Sequence, residues 1–316
     1  PDMYVYDLTT GNHHFQAGIG EIIVHNTDSV MVKFDNDGKK GKAALEMSFK
    51  QAIEAADRIS ATFKHPIELE FEKVYLPYLL FSKKRYAGLM YTKPEKPDYI
   101  DAKGIQLVRR DNCPFVRKIS QEALNTIMYD LDVDAAIKKV KAAAEMLLNN
   151  EVVIDDLVVS KSLKRVSYVR DSRELPKDKE NKIDYKKCIK RDGFHLVHTY
   201  ANSNLPHITV ACKKEEREPG VGPKSGDRVP YVFLDTKNSK DLQYSKAEDP
   251  EYAKEHKLEM DLLYYLEHGL QSPLESLFSL FLKDPKHTLF DEALTKFKKV
   301  KNKGVDIYEF LGLSRA

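Results

Sequence analysis

The sequence predicts an α+β protein with a short β-rich opening, a middle in which strands flank a helix, and a mainly helical remainder. Three observations predict it. β-branched and aromatic residues cluster in short runs within the first 34 positions. An amphipathic helical pattern over about 42–63 is followed at once by a strictly alternating run, 67–72. Beyond residue 134, apolar residues recur at three- and four-residue spacing. At 316 residues the chain is long enough for two or three domains and a substantial core.

Each element has its own warrant. Residues 4–8 (Tyr-Val-Tyr-Asp-Leu) and 20–24 (Gly-Glu-Ile-Ile-Val) read as strands, separated by the turn chemistry of Thr9-Thr10-Gly11-Asn12 and Ala17-Gly18-Ile19-Gly20. So short a segment buries no core of its own, so residues 1–26 need a partner. Ser29 to Phe34 alternates toward a strand, and Asn36-Asp37-Gly38-Lys39 is a turn. Leu45, Phe49, Ile53, Ala56, Ile59 and Phe63 give the helix its apolar face, and Pro66 ends it. The alternation of Ile67 to Glu72 puts Glu68, Glu70 and Glu72 on one strand face, which taken alone is solvent-exposed. Leu79 to Leu89 holds a basic cluster, Lys83-Lys84-Arg85, with Tyr86 between apolar flanks. Ile137, Val140, Ala144, Leu147 and Leu148 line a helix over 134–148, and Lys213 to Gly226 is charged and Gly/Pro-rich, a loop. Ser272-Pro273 is an N-cap and first-turn pair opening a helix to Leu282. A Lys-rich helix over about 289–302 and an amphipathic end, Val305 to Leu313, follow.

Composition excludes more than it assigns. Lys and Arg number 51 against 49 acids, so total charge does not announce a nucleic-acid binder. Residues 161–191, however, hold twelve Lys/Arg and five acids, a run that can meet phosphates but is more often simply solvated. Cys113, Cys188 and Cys212 form no CxxC pair, which argues against a zinc ribbon or a disulfide framework and for a reducing compartment. Gly220, Gly222 and Gly226 make neither GxGxxG nor a Walker sequence, and Ser272 with His268 is no triad. No apolar run approaches the roughly 20 residues of a membrane span, nor is the start a signal peptide. Opening on Pro1 rather than Met suggests a fragment or processed piece.

Two resemblances carry function. Val5-Tyr6-Asp7-Leu8, His13-His14-Phe15 and Val24-His25-Asn26, followed by Thr27, resemble the C-terminal end of an intein over about the first 27 positions. The residue types suit the chemistry: the Asn26 amide can attack its own carbonyl and release Thr27. His25 can polarise that carbonyl or protonate the leaving amine. Thr27 supplies a hydroxyl nucleophile. Asp7 and His13 match the positions that assist proton transfer, and His14 lies beside them. The amino-terminal half of an intein is absent, so the resemblance implies either a split intein awaiting an upstream segment or a piece of a longer precursor.

From Thr27 onward, Thr27-Asp28-Ser29, Leu69 to Tyr75, Lys83 to Gly88 and Lys103 to Asp111 occur in the order found in family B DNA polymerases, most similar to the delta type. Val159 to Leu163, Leu205-Pro206-His207, Gly226 to Tyr231 and Asp261 to Leu266 extend the likeness over most of 27–282. The resemblance implies an intein segment over 1–26, the C-terminal part of a polymerase palm (an antiparallel sheet with helices) over 27–107, and a mainly helical thumb and extension over 108–316. It implies DNA-directed DNA synthesis, with Asp28 as a ligand of catalytic Mg²⁺. The phosphoryl transfer is of the two-metal kind. Glu70 and Glu72 have structural or outer positions nearby. Lys83, Lys84, Arg85 and Tyr86 match the motif that tracks the minor groove of primer-template, where acceptors are shared by A·T and T·A pairs. Lys103, Arg109 and Arg110 neutralise phosphates, with Asp111 orienting the arginines.

The implied partners are primer-template DNA, deoxynucleoside triphosphates, an upstream polymerase and intein segment, and a processivity factor, with no membrane. The implied place is intracellular, in the nucleus or a viral factory. Alone the chain is expected to be inactive, because the first palm motif, the nucleotide-gripping helix and the exonuclease are missing. The stretch from about 170 to 204 is longer than in cellular enzymes and is either a DNA-contacting insertion or a disordered loop, the loop being favoured; no cysteine clusters follow Leu282, which favours a large-virus source. The competing reading is a non-catalytic basic DNA-binding module. Asp28 beside Ser29, with the Lys-Lys-Arg-Tyr cluster, argues against it.

Overall fold

The computed structural model describes residues 5–10, 14–16, 23–25, 30–105, 112–199, 204–236, 238 and 240–302, the first three stretches and 300–302 as backbone. The chain forms two compact units: residues 1–106 with 124–133, and residues 107–123 with 134–316.

The first unit is built on a four-stranded antiparallel sheet in the order β1–β4–β5–β6. Here β1 is Val5–Thr10, β4 Leu69–Ser82, β5 Arg85–Tyr91 and β6 Tyr99–Lys103. Two further strands, β2 (His14–Gln16) and β3 (Ile23–His25), pair only with each other. Helix α1, Gly41–Ser60, packs on β4 through Leu45, Phe49 and Ala52, with Val74 of the strand beneath. Phe49 meets Phe71 edge-on at 5.2 Å, and burying a side chain of this size contributes about 2–3 kcal/mol. The helix is shorter than its pattern, stopping six residues before Pro66, and Ile53 and Ile59 are 46% and 39% exposed. Its contact stripe is the alanine-rich face Ala44, Ala52 and Ala56, whose small side chains let the helix approach the sheet.

β4 begins as the alternation predicts, with Glu70 and Glu72 exposed, and then buries both faces: Val74 under α1 and Tyr75 against Tyr78 and Met90. The expected strand Ser29–Phe34 is not realised over 30–34. Alternation needs a ladder partner, and β4 is already hydrogen-bonded by β1 on one side and β5 on the other. Val32 and Phe34 instead pack, half-buried, against the α1 core, while Met31 joins the Tyr75 cluster. Helix α2, Pro114–Asn125, belongs up to Ala123 to the second unit; the π-turn that continues it, Thr126–Asp130, belongs to the first and buries Ile127 and Met128.

Most of the regular structure of the second unit is helical, with two small antiparallel sheets beside the helices. Helix α3, Val133–Leu148, buries Val140, Ala144, Leu147 and Leu148 as its spacing predicts. After a short turn of helix, α4 (Ile154–Leu157), come two small antiparallel sheets. One runs β12–β11–β7, with β7 Val159–Ser162, β11 Arg228–Phe233 and β12 Ala247–Glu248. The other runs β8–β10–β9, with β8 Ser167–Val169, β9 Cys188–Arg191 and β10 Phe194–Val197. Two strands of this sheet, β9 and β10, lie within the stretch expected as a loop over 170–204, and most of the rest of that stretch is turn and irregular backbone. The sheet's nucleating signal is Asp192-Gly193, a two-residue hairpin turn with Gly193 at φ +82°.

Helix α5, Pro206–Arg217, takes in the start of the charged stretch 213–226, whose residues 213–217 are therefore helical and not the expected loop. Its buried Glu215 accepts the backbone N–H groups of Gly220 and Gly222 at 3.0 Å, hanging the rest of that loop on the helix. Burial pushes the Glu215 carboxyl up, but those two N–H groups and the Arg170 guanidinium outweigh it and hold the group below its ordinary value. Helices α6 (Pro250–Glu255) and α7 (Leu262–Tyr264) are capped by Asp249 and Asp261. A π-turn, Tyr265–Gln271, leads straight into α8, Ser272–Phe278. Ser272 is therefore helical and not the expected N-cap; Pro273 is tolerated because the preceding π-turn has already broken the regular ladder. Helix α9 is Pro285–Asn302, and Val305 to Leu313 lies outside the described residues.

Candidate nucleic-acid interface

The basic cluster read from the sequence sits at the tip of the β4–β5 hairpin. Ser82 pairs with Arg85, so Lys83 and Lys84 form a two-residue turn, and Lys84 adopts a left-handed backbone at φ +63°. A side chain in that region costs roughly 1–2 kcal/mol, so the turn is held by its surroundings. One holding contact is Gly104, at the end of β6. It has φ +65°, and a Cβ there would lie 2.2 Å from the Lys84 carbonyl oxygen. Only glycine lets the two backbones meet. Lys83 and Lys84 are exposed, and Arg85 and Tyr86 are half-buried.

Beneath the turn lies a tyrosine cluster. Tyr75, Tyr78 and Tyr86 are mutually packed, with ring centroids 5.3–5.9 Å apart. Tyr75 is completely buried and donates its hydroxyl to Asp101 Oδ2 at 2.5 Å. Burial, and then the bond to Asp101, hold the Tyr75 hydroxyl far above its ordinary value, so it stays protonated. Asp101 is 6% exposed, and its other oxygen lies 3.5 Å from Lys103 Nζ. The β5–β6 register places Lys103, distant in sequence, opposite Tyr86 on the neighbouring strand. Gly88 leaves the room Tyr75 needs: a Cβ there would meet its ring at 2.5 Å.

Sequence reasoning named Lys83, Lys84, Arg85, Tyr86 and Lys103, and the structure brings these five onto one hairpin and its neighbour. Asp28, Asn26, Thr27, His13, Arg109 and Arg110 lie outside the described residues, as does Asp111. Asp7 and His25 are described as backbone: Asp7 stands opposite Lys73 on β4, and His25 opposite His14. Among the described residues no group of three or more His, Cys, Asp or Glu is disposed to hold a metal ion. Glu72 is paired with Lys73 at 3.1 Å. The described part of the chain thus offers no fit for Mg²⁺.

A second basic cluster, which sequence reasoning did not single out as a site, lies in the second unit. The ends of β7 and β11 are tied together: Leu163 N–H donates to Asp227, Gly226 N–H to Leu163, and Arg165 N–H to Ser225 Oγ at 2.8 Å. This brings exposed Lys161, Lys164 and Arg165 beside exposed Lys224 and Arg228, with Asp227 as the local acid. Arg228 is fixed by its guanidinium, which donates to the Ser160 carbonyl and hydroxyl at 2.8 and 2.9 Å. The sequence holds the two halves about 60 residues apart, which is why the basic run alone looked like a solvated stretch. Their presence in two adjoining matched segments was the available signal.

An exposed basic hairpin on a sheet and a second basic edge in the other unit are the kind of surface that can meet phosphates. Comparison with known sequences makes this particular: the sequence model of DNA polymerase family B matches residues 19–281, and the chain belongs to that family. It is similar to the DNA polymerase delta catalytic subunit of Drosophila melanogaster, 38% identical over 277 residues, covering 86% of this chain and 22% of that one. The delta catalytic subunit of Candida albicans is 38% identical over 89% of this chain and 23% of its own length. The DNA polymerase of Paramecium bursaria Chlorella virus NY2A is 35% identical over 88% of this chain and 27% of its own. The chain thus spans about a quarter of the curated relatives it matches. Among the described residues no helix is long and apolar enough to cross a membrane.

Proposed function

We propose that this chain is the palm and thumb portion of a replicative, delta-type family B DNA polymerase, and that its described part serves to hold primer-template DNA. The observation that carries this is the Lys83–Lys84 turn, held in a left-handed conformation by Gly104 at the tip of a hairpin in a chain of that family. Lysine is a donor without acceptor capacity, and every base pair offers acceptors in the minor groove, so the tip suits any sequence. Lys103 and the Lys161, Lys164, Arg165, Lys224 and Arg228 edge supply sequence-independent attraction to phosphates. Salt-titrated binding of the purified chain to duplex DNA tests the reading. Lys83→Ala and Lys84→Ala should each weaken binding alike across sequences and lower the salt slope by about one. Absence of salt-dependent binding would end it.

The finer parts rest on resemblance. Asp28 is assigned as a ligand of catalytic Mg²⁺ in a site completed by carboxylates beyond this chain's described residues. In the assembled enzyme, Asp28→Asn should abolish nucleotide addition and leave duplex binding nearly intact. Deoxynucleoside triphosphates are the substrates of that reaction, a processivity factor is the further partner, and the nucleus or a viral factory is the place. The isolated chain is expected to bind primer-template without extending it, since Asp28 is the one catalytic carboxylate the resemblance assigns to it. Cellular and viral relatives match almost equally, at 38% and 35%; a large-virus source remains part of the proposal.

Residues 1–26 are proposed as an intein segment that splices at Asn26–Thr27. Support comes from the residue types Asp7, His13, His25, Asn26 and Thr27 in order. Mixing the chain with an amino-terminal intein partner and measuring mass tests it. Loss of residues 1–26, blocked by Asn26→Ala, is the expected result.

A further inference from the structure

Strand β1 sits on a part of the first sheet that no other described strand holds. Its ladder with β4 runs from Val5 opposite Tyr75 to Thr10 opposite Leu69. The ladder of β4 with β5 begins only at Val74, so the two overlap at Val74 and Tyr75 alone. Leu69 to Lys73 therefore have β1 as their one strand neighbour among the described residues. Helix α1 packs with Phe71 and Val74 but offers this edge no ladder. The N–H and C=O groups of a strand need partners, and a bared edge is a template for another strand. The register sets Tyr6 opposite Val74 and Leu8 opposite Phe71, the two β4 residues that meet α1.

Residues 1–26, which contain β1, are the segment that the splicing reading removes, and this inference rests on that reading. We propose that β1 is a temporary occupant of the β4 edge, and that the same edge is the docking surface for an extended strand of the upstream segment that splicing joins to Thr27. Such a partner binds by main-chain hydrogen bonds, as in strand addition. It needs apolar residues at the positions that Tyr6 and Leu8 now hold opposite Val74 and Phe71. While β1 stays, the incoming strand has no edge to join. Once residues 1–26 leave, the start of β4 has no ladder until that strand arrives. The intein segment thus also shields this edge from pairing with a second copy.

Amide hydrogen exchange of the full chain, alone and after joining to an amino-terminal intein–polymerase partner, tests this. In the full chain, Leu8→Pro breaks the β1 ladder. It should speed exchange of the β1-facing amides within Glu70–Lys73 by about tenfold, while Tyr78 to Ser82, paired with β5, keep the native rate. Unchanged exchange at Glu70–Lys73 overturns the proposal. In the joined product freed of residues 1–26, Glu70–Lys73 should be slow again, together with a stretch of the upstream segment. Fast exchange there overturns the proposal. Protection shared with residues 30–34 gives the edge to this chain's own segment, and protection that rises with protein concentration gives it to a second copy; either overturns the choice of partner. Thr10→Cys with Leu69→Cys, at opposite positions, should lock β1 in place on oxidation. Nucleotide addition by the joined product should then stay blocked until a thiol reductant is added, a response absent from either single variant. No cross-link, or equal nucleotide addition with and without reductant, overturns the exchange of strands. No joined product refutes the splicing reading and this inference with it, whereas a joined product without strand exchange refutes this inference alone.

Discussion

Replacing Gly104 by alanine separates the strain of a backbone conformation from the contact that shapes the basic tip. Two terms act. First, alanine at φ +65° costs roughly 1–2 kcal/mol for its left-handed conformation. Second, its Cβ would sit 2.2 Å from the Lys84 carbonyl oxygen, where ordinary contact begins near 3.4 Å. The strand end or the turn must therefore yield by about an ångström, and overpacking of that kind costs about 1–3 kcal/mol more. Gly38 provides the control. It has φ +72° and nothing within 4 Å of its would-be Cβ, so Gly38→Ala carries the first term without the second.

Thermal unfolding should show Gly104→Ala less stable than Gly38→Ala by about 1–3 kcal/mol. The functional expectation is sharper. A displaced Lys84 carbonyl re-aims Lys83 and Lys84, so duplex affinity should fall and the salt slope should drop by about one to two in Gly104→Ala. Gly38→Ala should keep the native slope. Fluorescence anisotropy over a salt series reads both. If Gly104→Ala folds and retains the native affinity and slope, the apposition of Gly104 and Lys84 does not shape the interface, and the reasoning fails.

Other outcomes follow from the second unit. Burial, aided by the nearby Lys161 charge, pushes His207 down to about 4 from 6.5. Its folded value lies below its unfolded one, so the unfolded chain protonates first as pH falls. That stability is whole above about pH 6.5 and drains toward pH 4, by up to about 3 kcal/mol, and His207→Gln should flatten this part of a melting-temperature profile. Glu248 is buried and accepts both arms of Arg217 at 2.8 and 2.9 Å. Burial pushes its carboxyl up, yet Arg217, the Asp249 N–H and Lys213 hold it below its ordinary value, so its contribution is present above about pH 4.5 and lost below. Glu248→Gln leaves Arg217 without its counter-charge and should cost about 2 kcal/mol at pH 7 by denaturant titration, with the loss shrinking in acid. Arg228→Ala should lower the salt slope of duplex binding by about one while changing melting temperature little, because Arg228 is exposed and its guanidinium bonds Ser160 at the surface.

Local periodicity and turn chemistry were enough to place α1, the acidic start of β4, α3 and the basic turn, because each is specified by neighbours within a few residues. The order of motifs along the chain was enough to reach the family. Elements that depend on distant partners were not legible. Residues 30–34 carry a strand's alternation but pair with no strand, β4 being paired on both sides, and Val32 and Phe34 pack against the α1 core instead. The stretch 170–204 looked like a charged loop because its strands are closed by Asp192-Gly193 and by pairing back to β8, and its buried hydrophobic residues, Leu175, Phe194 and Leu196, are few and scattered. Ser272 resembled a cap until the π-turn before it made it helical.

The candidate site divides the same way. Its chemical types, Lys83, Lys84, Arg85, Tyr86 and Lys103, are a property of the sequence, since charge and donor inventory belong to the side chains themselves. What the lysines are aimed by, and which way the Tyr75 hydroxyl points, belongs to the tertiary structure. Gly104 reaches Lys84, Asp101 reaches Tyr75, and Lys224 joins Lys164 only when strands distant in sequence are brought to hydrogen-bonding distance. Reading the residues alone identifies a basic tip. The fold gives that tip a fixed backbone and a direction of hydrogen bonding, because both depend on contacts across strands that no local pattern encodes.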